Sequence, residues 1–440
     1  MKHRFRKVTI VLALLLAAIL LMSGCGGSGN SGSSDSSTKA ESVSESKSEA
    51  VSESKSEAAE ASSVSAAETS AQTAQSSDEE SEPHIEVEIP EDAPEINGLV
   101  FQEQTPLQYA ECFAIYRYEG GYSCIVIPTV GNFLVVPEGA QVPDGLSDDI
   151  IVLQQPLDTI YMAATSSMAL VAAIDGIDNI RLSSLQASGW YVQEAIDAMN
   201  EGRMLFSGKY SEPDYETMID ENCCLAVESR MIYHTPKVME MIQDLGIPVL
   251  VDISSNEDHP LGRTEWVKMY AALIGKEAEA EAFFDSQAAI VEELKDFENT
   301  GKTIAFFNVN ADGSAVIRTP TDYVPKMIDI AGGKYMFADY QTDVTSSTIH
   351  ISMEEFYAKA IDADYIVYNG SIVQPLTSVQ DLLALDPLFA DFKAVKEGNV
   401  YTVGRDFYQA TDDSGTMIRD FYLLVTGAED SQMKYVTHVE

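Results

Sequence analysis

The sequence predicts two α/β lobes joined by one long helix, with a ligand cleft between the lobes. Three observations predict it. Strand-like and helix-like segments alternate on both sides of residues 263–297. That stretch itself holds no proline and a single glycine, Gly275. A low-complexity region precedes all of it and is compositionally separate.

The N-terminus is a targeting signal. Lys2, Arg4, Arg6 and Lys7 make a basic start, Val8 to Met22 is almost wholly apolar, and Ser23-Gly24-Cys25 follows. A basic start, a short apolar core and small residues at the cut mark a secretory signal peptide. A cysteine directly after the small residues is the lipoprotein form: Cys25 takes the lipid and becomes the first residue. Met22 stands where that pattern usually has leucine. The competing reading is an uncleaved anchor helix; either way the rest of the chain lies outside the membrane, on its outer face. Residues 1–24 are thus expected as signal peptide and 25–95 as a tether. The tether is Ser/Glu/Ala-rich and repeats Val-Ser-Glu-Ser-Lys-Ser-Glu-Ala at 43–50 and 51–58. Such a composition cannot bury enough apolar surface to offset its ordering entropy, so disorder is expected.

The folded part is expected as an N-terminal lobe over 96–258, a connecting helix over 259–298 and a C-terminal lobe over 299–440. The opening reads as β: Cys112 to Tyr118 and Tyr122 to Pro128 flank the hairpin signal Glu119-Gly120-Gly121, and Ile150 to Leu153 and Thr159 to Tyr161 continue it. Helices follow at Met168 to Ile174 and Val192 to Asn200, a strand at Leu225 to Glu228, a helix at Pro236 to Leu245 and a strand at Pro248 to Val251. Trp266, Tyr270, Leu273, Phe283, Phe284, Ile290 and Leu294 then recur near helical spacing, which predicts a helix about 50 Å long, breakable at Gly275-Lys276. Beyond it come a strand at Thr303 to Val309, a helix at Tyr323 to Ile330, a strand at Tyr365 to Tyr368, a helix at Val379 to Leu385, a strand at Val400 to Val403 and a helix at Met417 to Val425. Ligands of α/β sheets sit outside the carboxyl ends of strands, which places the site in the cleft.

A formal net charge of −43 argues against nucleic acid or anionic lipid surfaces as partners. Cys112, Cys124, Cys223 and Cys224 show neither CxxC nor zinc spacing, and an exported location permits disulfides without specifying any. His259 and His350 lack a partner at ligand spacing and read as structural, so no metal site is expected. No nucleophile elbow or phosphate loop is present, and no catalytic residue is expected.

Several segments resemble one family, the helical-backbone substrate-binding proteins of ABC importers that carry ferric siderophores, haem and cobalamin. They are His259-Pro260-Leu261-Gly262-Arg263-Thr264-Glu265-Trp266, the run from Ile242 to Val249, and Val395 to Tyr401 before the last strand. The resemblance spans about 108–424. It implies a ferric siderophore, haem or corrinoid as ligand, an ABC permease and its ATPase as partners, a monomer and no cofactor of the protein's own. It also implies one docking glutamate on each lobe, matched here by Glu216 and Glu354, which would meet permease arginines. The alternative for both is an ordinary acidic first-turn residue favoured by the helix dipole. Ser352 and Glu355 read as a capping box, which would leave Glu354 facing outward. The cleft residues implied are Thr165, Ser166, Trp190, Tyr191, Ser229 and Arg230 in one lobe, and Arg318, Tyr323, Asn369, Arg405 and Tyr408 in the other. The arginines would suit an anionic chelate, and Trp190 and Tyr408 a flat one; each arginine equally suits local carbonyls or carboxylates. A ligand sensor, a direct zinc or manganese binder, and an enzyme on the same scaffold are the other classes considered.

Overall fold

The structure, a computed structural model, describes residues 87–344 and 346–440. The signal peptide, the Cys25 lipidation site and the tether up to residue 86 lie outside the described residues.

The β-rich opening forms a sheet of its own. Strands Phe101–Gln104, Ala114–Tyr118, Ser123–Ile127, Gly131–Val136 and Ile150–Gln154 lie side by side in that order, antiparallel except for the last pair. Gly120 and Gly121 both take positive φ at the turn between the second and third strands, a conformation only glycine adopts without strain. Alternation then splits the side chains between two cores. Ile115, Ile125, Ile127, Phe133 and Val135 join the main core, while Tyr116, Tyr118, Cys124, Val126 and Leu134 make a second, smaller one. Residues 87–95, expected in the tether, instead belong to the folded part. Ile89 and Ala93 pack on the smaller core, and the hydroxyls of Tyr116 and Tyr118 donate to the carbonyls of Pro90 (2.8 Å) and Pro94 (2.5 Å).

The first lobe is built on a fully parallel sheet ordered Val249–Asp252, Leu225–Ser229, Ile160–Met162, Ile180–Ser183, Leu205–Phe206. The chain starts in the middle strand, runs outward to one edge, then returns to build the other side. The direction reverses between 160–162 and 225–229, which makes that pair the topological switch point. The second lobe orders Thr348–Ile351, Ala315–Arg318, Thr303–Val309, Tyr365–Asn369, Val400–Val403 and Val436–His438. Its three central strands are parallel and the outer ones antiparallel. The two-lobed α/β architecture is therefore the one expected.

The connection is helical in three pieces rather than one: Pro260–Glu265, Val267–Ile274 and Glu277–Glu292. Gly275 ends the second in the left-handed region, at φ 72° and ψ 42°, and turns the chain. The bend lets each piece serve a different lobe. Val267–Ile274 packs on Met168–Ala172 of the first lobe, and Glu277–Glu292 packs on Ser414–Thr426 of the second. Trp266, at the first break, is fully buried; its indole donates to Glu257 (2.8 Å) and its ring meets Phe113 edge-on at 5.0 Å.

Candidate functional site

The switch point of the first lobe places two chain ends next to each other. The amides of Ala163 and Ala164, just past one strand, both donate to the carbonyl of Val227 on the other (2.8 and 3.2 Å). Thr165 and Ser166 follow at once, both buried at the start of a helical turn. Past the neighbouring strand, Ser229 accepts from the Met231 amide and Arg230 donates to Asn256 at 2.8 Å; both residues are buried. Past the next strand, Ser183 accepts from the indole of Trp190 at 3.0 Å. Trp190 is only 2% exposed, so its ring belongs to the lobe's core. The adjacent Tyr191, 41% exposed, offers the open aromatic face that the sequence reading had shared between Trp190 and Tyr408.

In the second lobe the carboxyl ends carry Asn369 and Arg405. Asn369 is buried and accepts from the amide and hydroxyl of Ser371 (3.3 and 2.5 Å), and Arg405 donates to Gln374 at 2.9 Å. Gly370 is required here: a Cβ on it would lie 2.3 Å from the Val403 carbonyl. Arg318 and Tyr323 sit elsewhere. Ile317 pairs with Phe307, so antiparallel register sets Arg318 level with Phe306, midway along the central strand rather than at its end near Val309. Arg318 is 3.7 Å from Asp322, and the guanidinium of Arg263, from the first connecting helix, covers the Tyr323 ring at 4.0 Å. Both residues thus belong to a seam between the connection and the second lobe. A cavity of about 660 Å³ opens there, lined by Asp258, His259, Asp322, Lys326, Asp329 and Tyr335 among others.

Between the lobes runs a groove of about 270 Å³ lined by Tyr191 and Glu194 from one lobe and Asp406, Gln409, Asp412 and Lys434 from the other. Its floor is acidic. Burial, reinforced by the neighbouring Asp413, pushes the Asp412 carboxyl up to about 6. The hydroxyl of Tyr408 accepts a bond from Gln409, which lines the groove, at 3.0 Å.

The two expected docking glutamates occupy matching places. Glu216 is exposed in the first turn of Tyr215–Asp220, capped by Asp214, which accepts from Thr217 at 3.2 Å. That helix follows the strand Leu205–Phe206 and the short ribbon of Gly208–Lys209 with Glu212–Pro213. Glu354 is exposed in the first turn of Met353–Ala360, which follows the strand ending at Ile351. Ile351 pairs with Ala315 and Ala315 with Val309, so Glu354 lies at the carboxyl edge of the central strand. The cap differs from the expected box: Ser352 accepts from the Glu355 amide at 3.2 Å, while the Glu355 carboxylate accepts from the Tyr340 hydroxyl at 2.9 Å. Glu355 is occupied by a tertiary contact, and Glu354 still faces outward.

Residues 236–406 match the family model described as periplasmic binding protein. That span takes in the last helix and strand of the first lobe, the whole connection and the central strands of the second lobe. Over that span the chain is similar to periplasmic binding proteins. Two uncharacterized lipoproteins of Methanocaldococcus jannaschii are similar: one is 27% identical over 305 residues (66% of this chain, 70% of that protein), the other 26% over 336 residues (72% and 82%). Among solved structures, a periplasmic haem-binding protein of Vibrio cholerae is 14% identical, covering 60% of this chain and 98% of that one at a TM-score of 0.49. A periplasmic binding protein of Veillonella parvula is also 14% identical, covering 62% and 92% at the same TM-score.

Among the described residues no group of three His, Cys, Asp or Glu side chains is placed to hold a metal ion, and the four cysteines are free thiols. Burial, helped by Lys326, pushes His259 down to about 4, and its Nδ1 accepts from the Leu261 amide. Its ring stacks on Tyr109 at 4.3 Å, so this neutral imidazole is a structural group.

One buried acid stands out next to the switch point of the first lobe. Glu228 is fully buried, neither of its carboxyl oxygens has a hydrogen-bond partner among the described residues, and burial raises its pKa well above the usual range. It is therefore held protonated, close to Tyr161 and Tyr215. The unfolded chain releases this proton near the ordinary glutamate value of about 4.3, the folded chain only well above it. Stability present below that value is lost as pH rises towards the folded value. The Glu228→Gln variant should match the wild type near pH 4 and exceed it increasingly towards pH 8, read as urea midpoints (about these values,). A difference independent of pH would refute the buried neutral acid.

Proposed function

We propose that this protein is the extracytoplasmic ligand-binding lipoprotein of an ABC importer, held by Cys25 on the outer face of the membrane. It captures a metal chelate and delivers it to a permease driven by an ATPase. A ferric siderophore is the first choice, and haem or a corrinoid the next. The match over 236–406 carries the reading, since it spans the elements that join the lobes and form one wall of the cleft. The groove between the lobes supports it, because ligand pockets favour such interfaces. The lipoprotein names of the two archaeal relatives support the anchor. Anchoring raises the effective concentration of the binder at its membrane partner.

The test is ligand identity. The mature chain is incubated in turn with ferric hydroxamate and catecholate siderophores, haem and cobalamin, then separated by gel filtration. One of them should co-elute with its absorbance and quench tryptophan emission. Trp190 adjoins the cleft loop, whereas Trp266 is packed against Phe113 in the core, so a Trp190→Phe variant should lose most of the quench while keeping the bound absorbance. Tight binding of free Zn²⁺ or Mn²⁺ with no binding of any chelate would overturn the proposal.

A further inference from the structure

We infer that Gln409 is a positioning residue: its side-chain amide latches the two lobes together and sets the loops bearing Tyr191 and Tyr408 before any ligand arrives. Gln409 lies in the loop after the strand Val400–Val403, in the second lobe, and is only 1% exposed. Its Nε2 donates to the Gly189 carbonyl at 3.0 Å and to the Tyr408 hydroxyl at 3.0 Å, and its Oε1 accepts from the Tyr191 amide at 2.8 Å. Both amide hydrogens and the oxygen are therefore used. The partners also fix which atom is which, since a peptide carbonyl can only accept and a peptide N–H can only donate.

The geometry is that of a strand neighbour supplied by a side chain. One amide reads the C=O of residue 189 and the N–H of residue 191, on either side of Trp190. Trp190 in turn is tied to Ser183 from within the first lobe. The 187–191 loop is thus held from beneath by its own lobe and from across the cleft by the other. No other side chain fits the same role. Asparagine is one methylene too short, and an ionised glutamate keeps the acceptor for Tyr191 but has no hydrogen for Gly189. This inference stands or falls separately from the identity of the ligand.

The experiment follows amide hydrogen exchange of the 187–193 segment in the full mature chain, without ligand, for wild type, Gln409→Ala and Gln409→Glu. Losing the latch should speed exchange of that segment in Q409A by about tenfold at equal pH, the order expected for one or two lost hydrogen bonds. The glutamate variant discriminates latch from packing. At about pH 8 it should exchange like Q409A. Towards about pH 5 a protonated carboxyl regains a donor, and exchange should return to the wild-type rate. The groups facing the new carboxyl are Glu194 from the first lobe, Asp406, Tyr408 and Asp412 from its own loop, and Lys434 with Tyr435 from the C-terminal segment. The acidic majority of these groups raises its pKa into the working range. Unchanged exchange in Q409A, or a Q409E variant that behaves alike at both pH values, would overturn the latch. Should Q409A fail to fold, the pH dependence of Q409E decides alone.

Discussion

Replacing Glu265 by alanine should cost about 3–5 kcal/mol of folding stability, the range for breaking a buried ion pair from one side. Glu265 closes the first connecting helix and is fully buried. Its carboxylate accepts from the amides of Gln108, Tyr109 and Ala110, each at 2.8–2.9 Å, and from the ammonium of Lys268 at 3.0 Å. Lys268 is itself 5% exposed, with Glu281 as a second, mostly exposed partner at 3.3 Å. Alanine would leave the buried N–H of Ala110 and the part-buried N–H groups of Gln108 and Tyr109 without this acceptor, and the buried Lys268 without its buried counter-charge. A buried donor orphaned in this way costs about 1–3 kcal/mol. The contact matters for architecture too, because residues 105–112 lead from the edge strand of the first sheet back to its interior. Glu265 fastens that crossing to the connection. Glu257 repeats the device one turn away, accepting from the amides of Glu111 and Cys112 (2.8 and 3.0 Å) and from Trp266. Urea denaturation of the variant, followed by far-UV circular dichroism, checks the expectation; a loss below about 1 kcal/mol would mean that water replaces the carboxylate.

Neither acid was legible as a core residue. In a helix such as 260–265 a glutamate reads as solvent-facing, and its acceptor role comes from amides more than 150 positions away in the chain. The same holds for Gln409, whose partner Gly189 is 220 residues distant. A lone glutamine carries no local signal, so only the folded chain exposes the latch. What the sequence does carry is local. Strands Thr303–Val309 and Val400–Val403 and helices Tyr323–Ile330 and Val379–Leu385 fall where periodicity and the flanking Gly and Pro residues put them. The strands at Ala315–Arg318, Thr348–Ile351 and Val436–His438 were missed; they join the sheet as antiparallel outer strands, and pairing rather than propensity makes them strands. Gly131–Val136 was missed despite a clear apolar run. In the connection over 259–298 the break allowed for at Gly275-Lys276 is present, Gly275 taking the left-handed conformation, whereas the earlier break at Trp266 was not foreseen. The family resemblance implied Thr165, Ser166, Ser229, Arg230, Asn369 and Arg405, and these six do stand at or just past the carboxyl ends of strands. Arg318 and Tyr323, implied by the same resemblance, lie elsewhere, because the strand carrying Arg318 is antiparallel and was not foreseen.

Reversing both carboxylates, Glu216→Arg with Glu354→Arg, should abolish uptake while leaving ligand affinity within about twofold of wild type, if the docking reading holds. Both side chains are exposed, and both stand in first turns at the carboxyl edge of their own lobe's sheet, where a membrane partner approaching the cleft would meet them. The structural cost is small. A cation in a first helical turn opposes the macrodipole by only about 0.3–1 kcal/mol, too little to unfold a protein of this size. The functional cost is large, because a desolvated, hydrogen-bonded charge pair lost at an interface costs about 2–5 kcal/mol, or at least thirtyfold in affinity per site. Glu355 supplies the control. It sits beside Glu354 in the same turn, yet its carboxylate is engaged with Tyr340, so Glu355→Gln should disturb the local helix without touching uptake. Transport into vesicles carrying the permease, measured beside chelate binding by the free protein, separates the outcomes. Lost affinity in the double reversal would move these residues into the cleft. Intact uptake would return them to ordinary first-turn acids, and the docking surface would have to be sought elsewhere on the two lobes.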